Sequence, residues 1–210
     1  MQSKGRINDC VVQIATVNGT GSSSANTLLM KAIFRMGIPV IGKNYFPSNI
    51  QGLPTWYEIR VTREGYLARS SKVDIMVAMN AQTYEEDLAS VVTNGVLIYD
   101  GSWPRAELES RPDISVLPVP LSKMCNESFT GARARILMKN IAYVGVIAAL
   151  IEIDRDVVRQ LLSETFTDKP DLVESNMQAF ELGYDYAQTE FNCPLENRLV
   201  PMDAMSNHIM

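Results

Sequence analysis

Seven consecutive residues, Asn18-Gly19-Thr20-Gly21-Ser22-Ser23-Ser24, combine two glycines with four hydroxyl side chains and carry no charge. The chemistry open to such a run is anion binding. Glycine admits positive φ and lets the main chain approach a ligand closely. If a helix opens at this turn, its first amides point outward with the positive end of the helix dipole behind them. Serine hydroxyls add donors and a helix cap. A phosphate could be cradled in this way without a lysine. The same residues equally suit a tight strand-to-helix turn that holds nothing.

The spacing narrows the choice. Ser24 stands where a G-x-G-x-x-G motif needs its third glycine, and no G-K-[ST] follows. No acid ends the second strand, where Ile41-Gly42-Lys43 is found, so a dinucleotide site of the usual kind is disfavoured. Two or three charge-assisted amide bonds at about 1.5–3 kcal/mol each do little more than offset an association cost of about 4–15 kcal/mol. Tight binding therefore needs a second surface to close over the ligand.

Nothing else in the chain reads as catalytic machinery. There is no G-x-S-x-G, no H-E-x-x-H, and the one histidine, His208, precludes a hydrolytic triad of ordinary type. Glu58, Asp74 and Asp100 could act as bases, but solvated or turn-capping carboxylates are the commoner case. Cys10, Cys125 and Cys193 are far apart with no C-x-x-C pair, so neither a zinc site nor a disulfide framework is expected. Tyr45, Phe46, Trp56 and Tyr57 gather around a Gly/Pro loop, as an interface or as packing beneath it.

The elements that must position the turn follow from pattern. Asp9–Val17 is apolar and β-branched, suiting a strand buried on both faces. Leu28, Leu29, Ala32, Ile33 and Met36 repeat at helical spacing across 25–36, and Gly37 suits the helix C-terminus. Ile38–Ile41 reads as a second strand, giving a βαβ unit with parallel pairing. Beyond a loop over 42–54, Thr55–Thr62 and Tyr66–Arg69 read as a hairpin turning at Arg63-Glu64-Gly65. Val73–Met79, Gly95–Tyr99 and Ile114–Val119 are further strands, and Thr83–Val92 a helix. Helices are expected at Ile136–Ile151, Arg155–Phe166 with Asp154 as N-cap, and Leu172–Gln188 opened by Pro170-Asp171. The fold class is thus α/β: a Rossmann-like, mostly parallel sheet with an inserted antiparallel β-hairpin and a C-terminal helical segment. The expected division is a domain over 1–190, with its α/β core at about 9–130 and helical part at about 131–190, then a linker or tail over 191–210.

Bulk properties bound the partners. With 210 residues the chain fits one domain and buries enough surface to fold without disulfide or metal. A net charge of -5 and no basic patch argue against nucleic acid. Residues 1–9 are polar and lack the apolar stretch of a signal peptide. The most apolar run, Ile141–Ile153, is shorter than the roughly 20 residues a membrane span needs. A cytoplasmic protein without membrane contact is expected.

Four segments, in this order, resemble one family: IATVNGTGSSSANTLL; NYFPSNIQGLPTWYEIRVTREG; VDIMVAMN, ending at Asn80; and ARILMKNIAYVGVIAALIEIDRDVV followed by NMQAFELGYDYA. Together they make residues 9–190 similar to the gamma-type domain of 2-oxoacid:ferredoxin oxidoreductases, especially the form fused ahead of the alpha subunit in 2-oxoglutarate-type enzymes. The resemblance implies a multi-subunit enzyme that converts a 2-oxoacid of the 2-oxoglutarate or pyruvate type to its acyl-coenzyme A. It implies that thiamine diphosphate and iron–sulfur clusters lie on alpha- and beta-type partners, with ferredoxin as acceptor. This chain would help to bind coenzyme A through Asn18, Gly19, Thr20, Gly21, Ser22, Ser23, Ser24 and Gly52. The family's turn more often reads G-x-G-G-Q-G, and its hairpin loop commonly carries R-G-G where this chain has Ile50-Gln51-Gly52-Leu53. An arginine contact from that loop therefore does not carry over. The alternative is a stand-alone nucleotide- or coenzyme-binding module without catalysis of its own.

Overall fold

The computed structural model describes residues 6–47, 50–66, 68, 71–191 and 197–203. Six strands form one sheet in the order β2-β3-β1-β4-β5-β6: β1 (Asp9–Val17), β2 (Val40–Tyr45), β3 (Pro54–Thr62), β4 (Val73–Ala78), β5 (Val91–Asp100) and β6 (Ser115–Val119). β1, β4, β5 and β6 pair in parallel, whereas β3 runs antiparallel to both of its neighbours, β1 and β2. β3 is thus the one reversed strand. The mostly parallel α/β sheet with an inserted hairpin is what the patterning leads one to expect.

The hairpin itself differs from expectation. Its arms are β2 and β3, joined over 46–53, and not Thr55–Thr62 with Tyr66–Arg69. Tyr66 and Ala68 are not in a strand; Leu67 and Arg69 lie outside the described residues. β2 shares the direction of β1 but is separated from it by β3, so the expected parallel pairing of the two does not form. β2 also runs past Ile41 to Tyr45, through Gly42-Lys43-Asn44. Those residues make a poor central strand but a good edge strand, where polar side chains and lysine guard the open ladder. Gly42 belongs there because a Cβ would fall 2.1 Å from the Tyr57 hydroxyl and 2.6 Å from Met30 Sδ.

Six helices complete the fold: α1 (Ser22–Arg35), α2 (Tyr84–Ser90), α3 (Leu121–Ser128), α4 (Ala132–Leu150), α5 (Arg155–Thr165) and α6 (Pro170–Glu190). α1, α4, α5 and α6 bury one sheet face, with Val12, Ile14, Ile59, Ile75, Val77 and Ile98 beneath them. The other face is packed over a smaller area, where Leu88 and Tyr84 of α2 meet Val11, Ala15, Met76 and Leu97. α4 and α6 touch backbone to backbone. A Cβ on Gly145 would lie 2.0 Å from the Phe180 carbonyl oxygen, and one on Gly183 1.9 Å from that of Ala142. The caps read from sequence are present. Gly37 has φ +74° and donates to Phe34, Asp154 accepts from the Asp156 amide, and Pro170 opens α6. α3, whose Leu121 and Cys125 are buried one turn apart, and a 3-10 turn at Ala106–Ser110 are not among the elements expected from the sequence.

Of the tail, residues 197–203 lie against the start of the chain. Asn8 donates to the Val200 carbonyl at 2.8 Å and accepts from its amide at 2.7 Å, and Ile7 bridges Arg198. Leu199 is buried, and the Met202 amide donates to the Met36 carbonyl at 2.8 Å.

Candidate functional site

The glycine turn stands at the carboxyl end of β1, where α1 leaves toward one face. β4, the strand beside it, sends its helix α2 to the other face. That divergence is the place where open α/β sheets form a crevice for ligands.

The eight residues singled out from sequence come together, with unequal roles. Asn18 donates its amide to Leu53, accepts from the Gly52 amide at 3.0 Å and reaches Ile50 with Nδ2. Gly52, at φ +91°, is therefore bound to the turn, but its amide is engaged within the protein. Thr20 donates its amide and hydroxyl to the Val17 carbonyl. Ser22 is buried and shares a 2.9 Å hydrogen bond with Thr16. These groups hold the turn in shape and are not available to an anion.

What faces solvent is Gly19, Gly21, Ser23 and Ser24. Gly19 (φ +92°) and Gly21 (φ +81°) take left-handed backbone conformations that a branched side chain resists. α1 starts at Ser22, earlier than its apolar repeat indicates, so all three serines fall in its first turn. No side chain caps this end and no acid occupies its first turn. The amides of Ser22 to Ser24 are left without helical acceptors. Gln51 lies over Gly19 and Leu137 over Gly21: a Cβ added to either glycine would come within 2.7 Å and 2.4 Å of those side chains. They form walls and do not seal the turn.

α4 supplies that second wall, and the local sequence of the turn gave no hint of it. Asn140 donates from Nδ2 to the Thr20 carbonyl at 2.9 Å across 120 residues of sequence. Tyr143 donates to Asn26 Oδ1 at 2.7 Å, tying α4 to α1 just below. Full burial raises the Tyr143 hydroxyl's pKa well above the usual phenol range, so it stays a donor.

The candidate bases have structural partners. Asp74 is buried and accepts from the Val11 amide, Arg6 and Asn197. Asp100 ends β5, where burial raises its pKa, but bonds from Ser122 and Ser102 with Lys139 nearby outweigh that and leave it lowered. Glu58 is buried in the wall of a separate cavity of about 650 Å³ that is also lined by Gln13, Tyr45, Phe46, Trp56 and Glu86. That cavity opens on the α2 side of β1 and β3. The aromatic group read from sequence is split by the period of two along β3. Trp56 faces this cavity and donates to Asp87 at 2.8 Å, whereas Tyr57 is buried under α1 beside Met30. Cys10 and Cys125 are buried, and burial pushes their thiols up to about 12 and about 11. Cys193 and His208 lie outside the described residues. Among the described residues no group of three His, Cys, Asp or Glu side chains could hold a metal, and no helix is long and apolar enough to cross a membrane.

Comparison with known proteins gives this geometry its context. The chain is 22% identical over 230 aligned positions to 2-oxoacid:ferredoxin oxidoreductase 2, subunit alpha, of Aeropyrum pernix, covering 92% of this chain and 36% of that one. It is 27% identical to ketoisovalerate oxidoreductase subunit VorA of Methanothermobacter marburgensis over 55% of this chain and 23% of the other. The chain thus spans about a third or less of these curated relatives. Its fold matches 2-oxoglutarate:ferredoxin oxidoreductase from Magnetococcus marinus, solved with 2-oxoglutarate, coenzyme A and succinyl-CoA bound. The TM-score is 0.82 at 22% identity, over 94% of this chain and 34% of that one. It also matches the gamma subunit of a keto/oxoacid ferredoxin oxidoreductase from Geobacter sulfurreducens, with TM-score 0.66 at 16% identity, over 86% of this chain and 99% of that one. The model of the pyruvate ferredoxin/flavodoxin oxidoreductase family matches residues 11–186, and the chain belongs to that family.

Proposed function

We propose that this chain is the gamma-type part of a 2-oxoacid:ferredoxin oxidoreductase and holds coenzyme A by its phosphates at Gly19–Ser24. The observation that carries the reading is the uncapped, acid-free start of α1 behind two left-handed glycines, exposed at the sheet's carboxyl edge in a chain of this family. Negative charge is favoured there by the unpaired amides of Ser22 to Ser24 and by the helix dipole. Asn18, Thr20 and Gly52 fix the shape of the turn, and the Ser23 and Ser24 hydroxyls add donors at its rim.

In such an enzyme thiamine diphosphate would supply decarboxylation and iron–sulfur clusters would carry electrons to ferredoxin, both on alpha- and beta-type partners. This chain's share is to bind and orient the acyl acceptor. The open turn suits a weak seat, on the order of millimolar for this chain alone, that another subunit tightens, since amide donors do little more than offset the entropy of association. Residues 1–190 would form the gamma-type domain and the following residues a connection, in an assembly working in the cytoplasm. The substrate would be a 2-oxoacid of the 2-oxoglutarate or pyruvate type.

The test is to tag the chain, isolate it from its native cells and assay coenzyme A-dependent reduction of a viologen dye by 2-oxoacids. Co-isolation with a thiamine diphosphate-containing chain and with this activity is expected. Recovery as a monodisperse monomer free of such partners refutes the proposal.

A further inference from the structure

The glycine turn carries no lysine or arginine. A coenzyme A phosphate seated on amides alone would leave most of its charge uncompensated, so the cation must come from another element. Two segments reach the turn from elsewhere in the chain: the 46–53 loop, which sets Gln51 over Gly19 and carries no lysine or arginine, and α4, with Asn140 bonded to Thr20 and Leu137 against Gly21. Arg133 stands four residues before Leu137 and seven before Asn140. At 3.6 residues per turn these three share one helix face, with Arg133 about 6 Å further along the axis.

The neighbouring cations of α4 are engaged. Arg135 donates to the Phe129 carbonyl at 2.8 Å, and Lys139 reaches Ser122 at 3.2 Å and Asp100 at 3.5 Å. Arg133 is exposed and has no hydrogen bond or ion pair with the described residues.

A second, independent group at the same edge lacks an acceptor. Asn80 follows the end of β4, just after Met79 donates to the Ala15 carbonyl of β1 at 2.9 Å. Asn80 is 4% exposed, and its Oδ1 accepts from the Gln82 amide at 3.1 Å. Its Nδ2 has no hydrogen-bond partner among the described residues. Buried donors are seldom left unmade, and an acceptor arriving with a ligand between the ends of β1 and β4 would answer this one.

We propose that Arg133 is the phosphate-binding cation of this site, gripping a coenzyme A phosphate whose other oxygens rest on the amides that open α1. This deepens the preceding reading and rests on it. The planar guanidinium offers two parallel N–H groups in a fixed fork to two phosphate oxygens, a geometry that a lysine ammonium lacks.

The test uses the full 210-residue chain labelled with 15N and titrated with coenzyme A. Saturable shifts of the Gly19, Gly21 and Ser22–Ser24 amide resonances are expected in the unsubstituted protein. Arg133→Ala should weaken the dissociation constant about three- to tenfold, as a partly exposed charge-assisted contact allows, and Arg133→Lys should weaken it less. Resonances remote from the site report that both variants stay folded. An unchanged dissociation constant in Arg133→Ala, with the turn amides still shifting, overturns the role of Arg133 and leaves the coenzyme A seat standing. Turn amides that do not move in the unsubstituted protein at millimolar coenzyme A overturn both.

Discussion

Replacing Asp87 by asparagine should make the protein more stable above neutral pH and remove one component of its pH dependence. Asp87 is fully buried at the start of α2, where Trp56 Nε1 donates to Oδ1 at 2.8 Å and the Thr83 hydroxyl lies 2.7 Å from Oδ2. Burial raises its pKa from 3.8 to about 6, against the opposing effect of those two bonds. The Thr83 hydroxyl also lies 3.0 Å from the Asn80 carbonyl, and it has one proton to give. If Asp87 is protonated it donates to Thr83, and Thr83 donates onward to Asn80, so every partner is satisfied. Because the folded-state pKa is raised, the group's stabilising contribution is full below the unfolded value and is lost as pH rises through about 6. Roughly two pKa units correspond to about 3 kcal/mol, of which about half falls between pH 5 and pH 8. The carboxamide of the Asp87→Asn variant would accept from Trp56 and donate to Thr83 at every pH. Urea unfolding of both proteins across that range should therefore show the variant gaining on the parent by about 1 kcal/mol. Parallel profiles would refute the protonated network.

Other substitutions probe other joints. Gly21→Ala sets a Cβ 2.4 Å from Leu137 at φ +81° and should cost about 1–2 kcal/mol from backbone strain alone, read from thermal unfolding. Leu137→Ala should recover the steric part in a double-mutant cycle, and strictly additive losses would show that the two do not meet. Gly145→Ala and Gly183→Ala force α4 and α6 apart, and each should lose about 1–3 kcal/mol or more in chemical denaturation. Asn8→Ala removes two bonds to Val200 and should speed hydrogen exchange of the Val200 amide while leaving β4 and β5 protected.

Much of the fold could be read along the chain because its elements are locally consistent. β1 and β4 are mostly apolar and almost wholly buried, as strands covered on both faces are, and α5 and α6 announce themselves by caps at Asp154 and Pro170. Strand order was not legible in the same way. Nothing in Ile38–Ile41 says that β3 will come between it and β1, since that depends on a pairing made 10 to 20 residues later in the chain. Asn94, at φ +63°, likewise hides the early start of β5, where the ladder slips between Val73 and Ile75. At the site, the glycines and serines identified the turn, but Leu137 and Asn140 reach it only through tertiary packing. A helix repeat gives no notice of which distant loop its polar face will meet.

The clasp between the two ends of the chain has an architectural consequence. Ile7 and Arg198 meet just ahead of β1, and Met202 sits where α1 gives way to β2. Both lie at the amino edge of the sheet, a strand length of about 30 Å from the glycine turn. Residues 6–8 and 197–203 thus lie at the rear of the domain, away from its front edge. A domain whose two peripheral segments pair at one edge keeps the opposite edge free for contacts of its own.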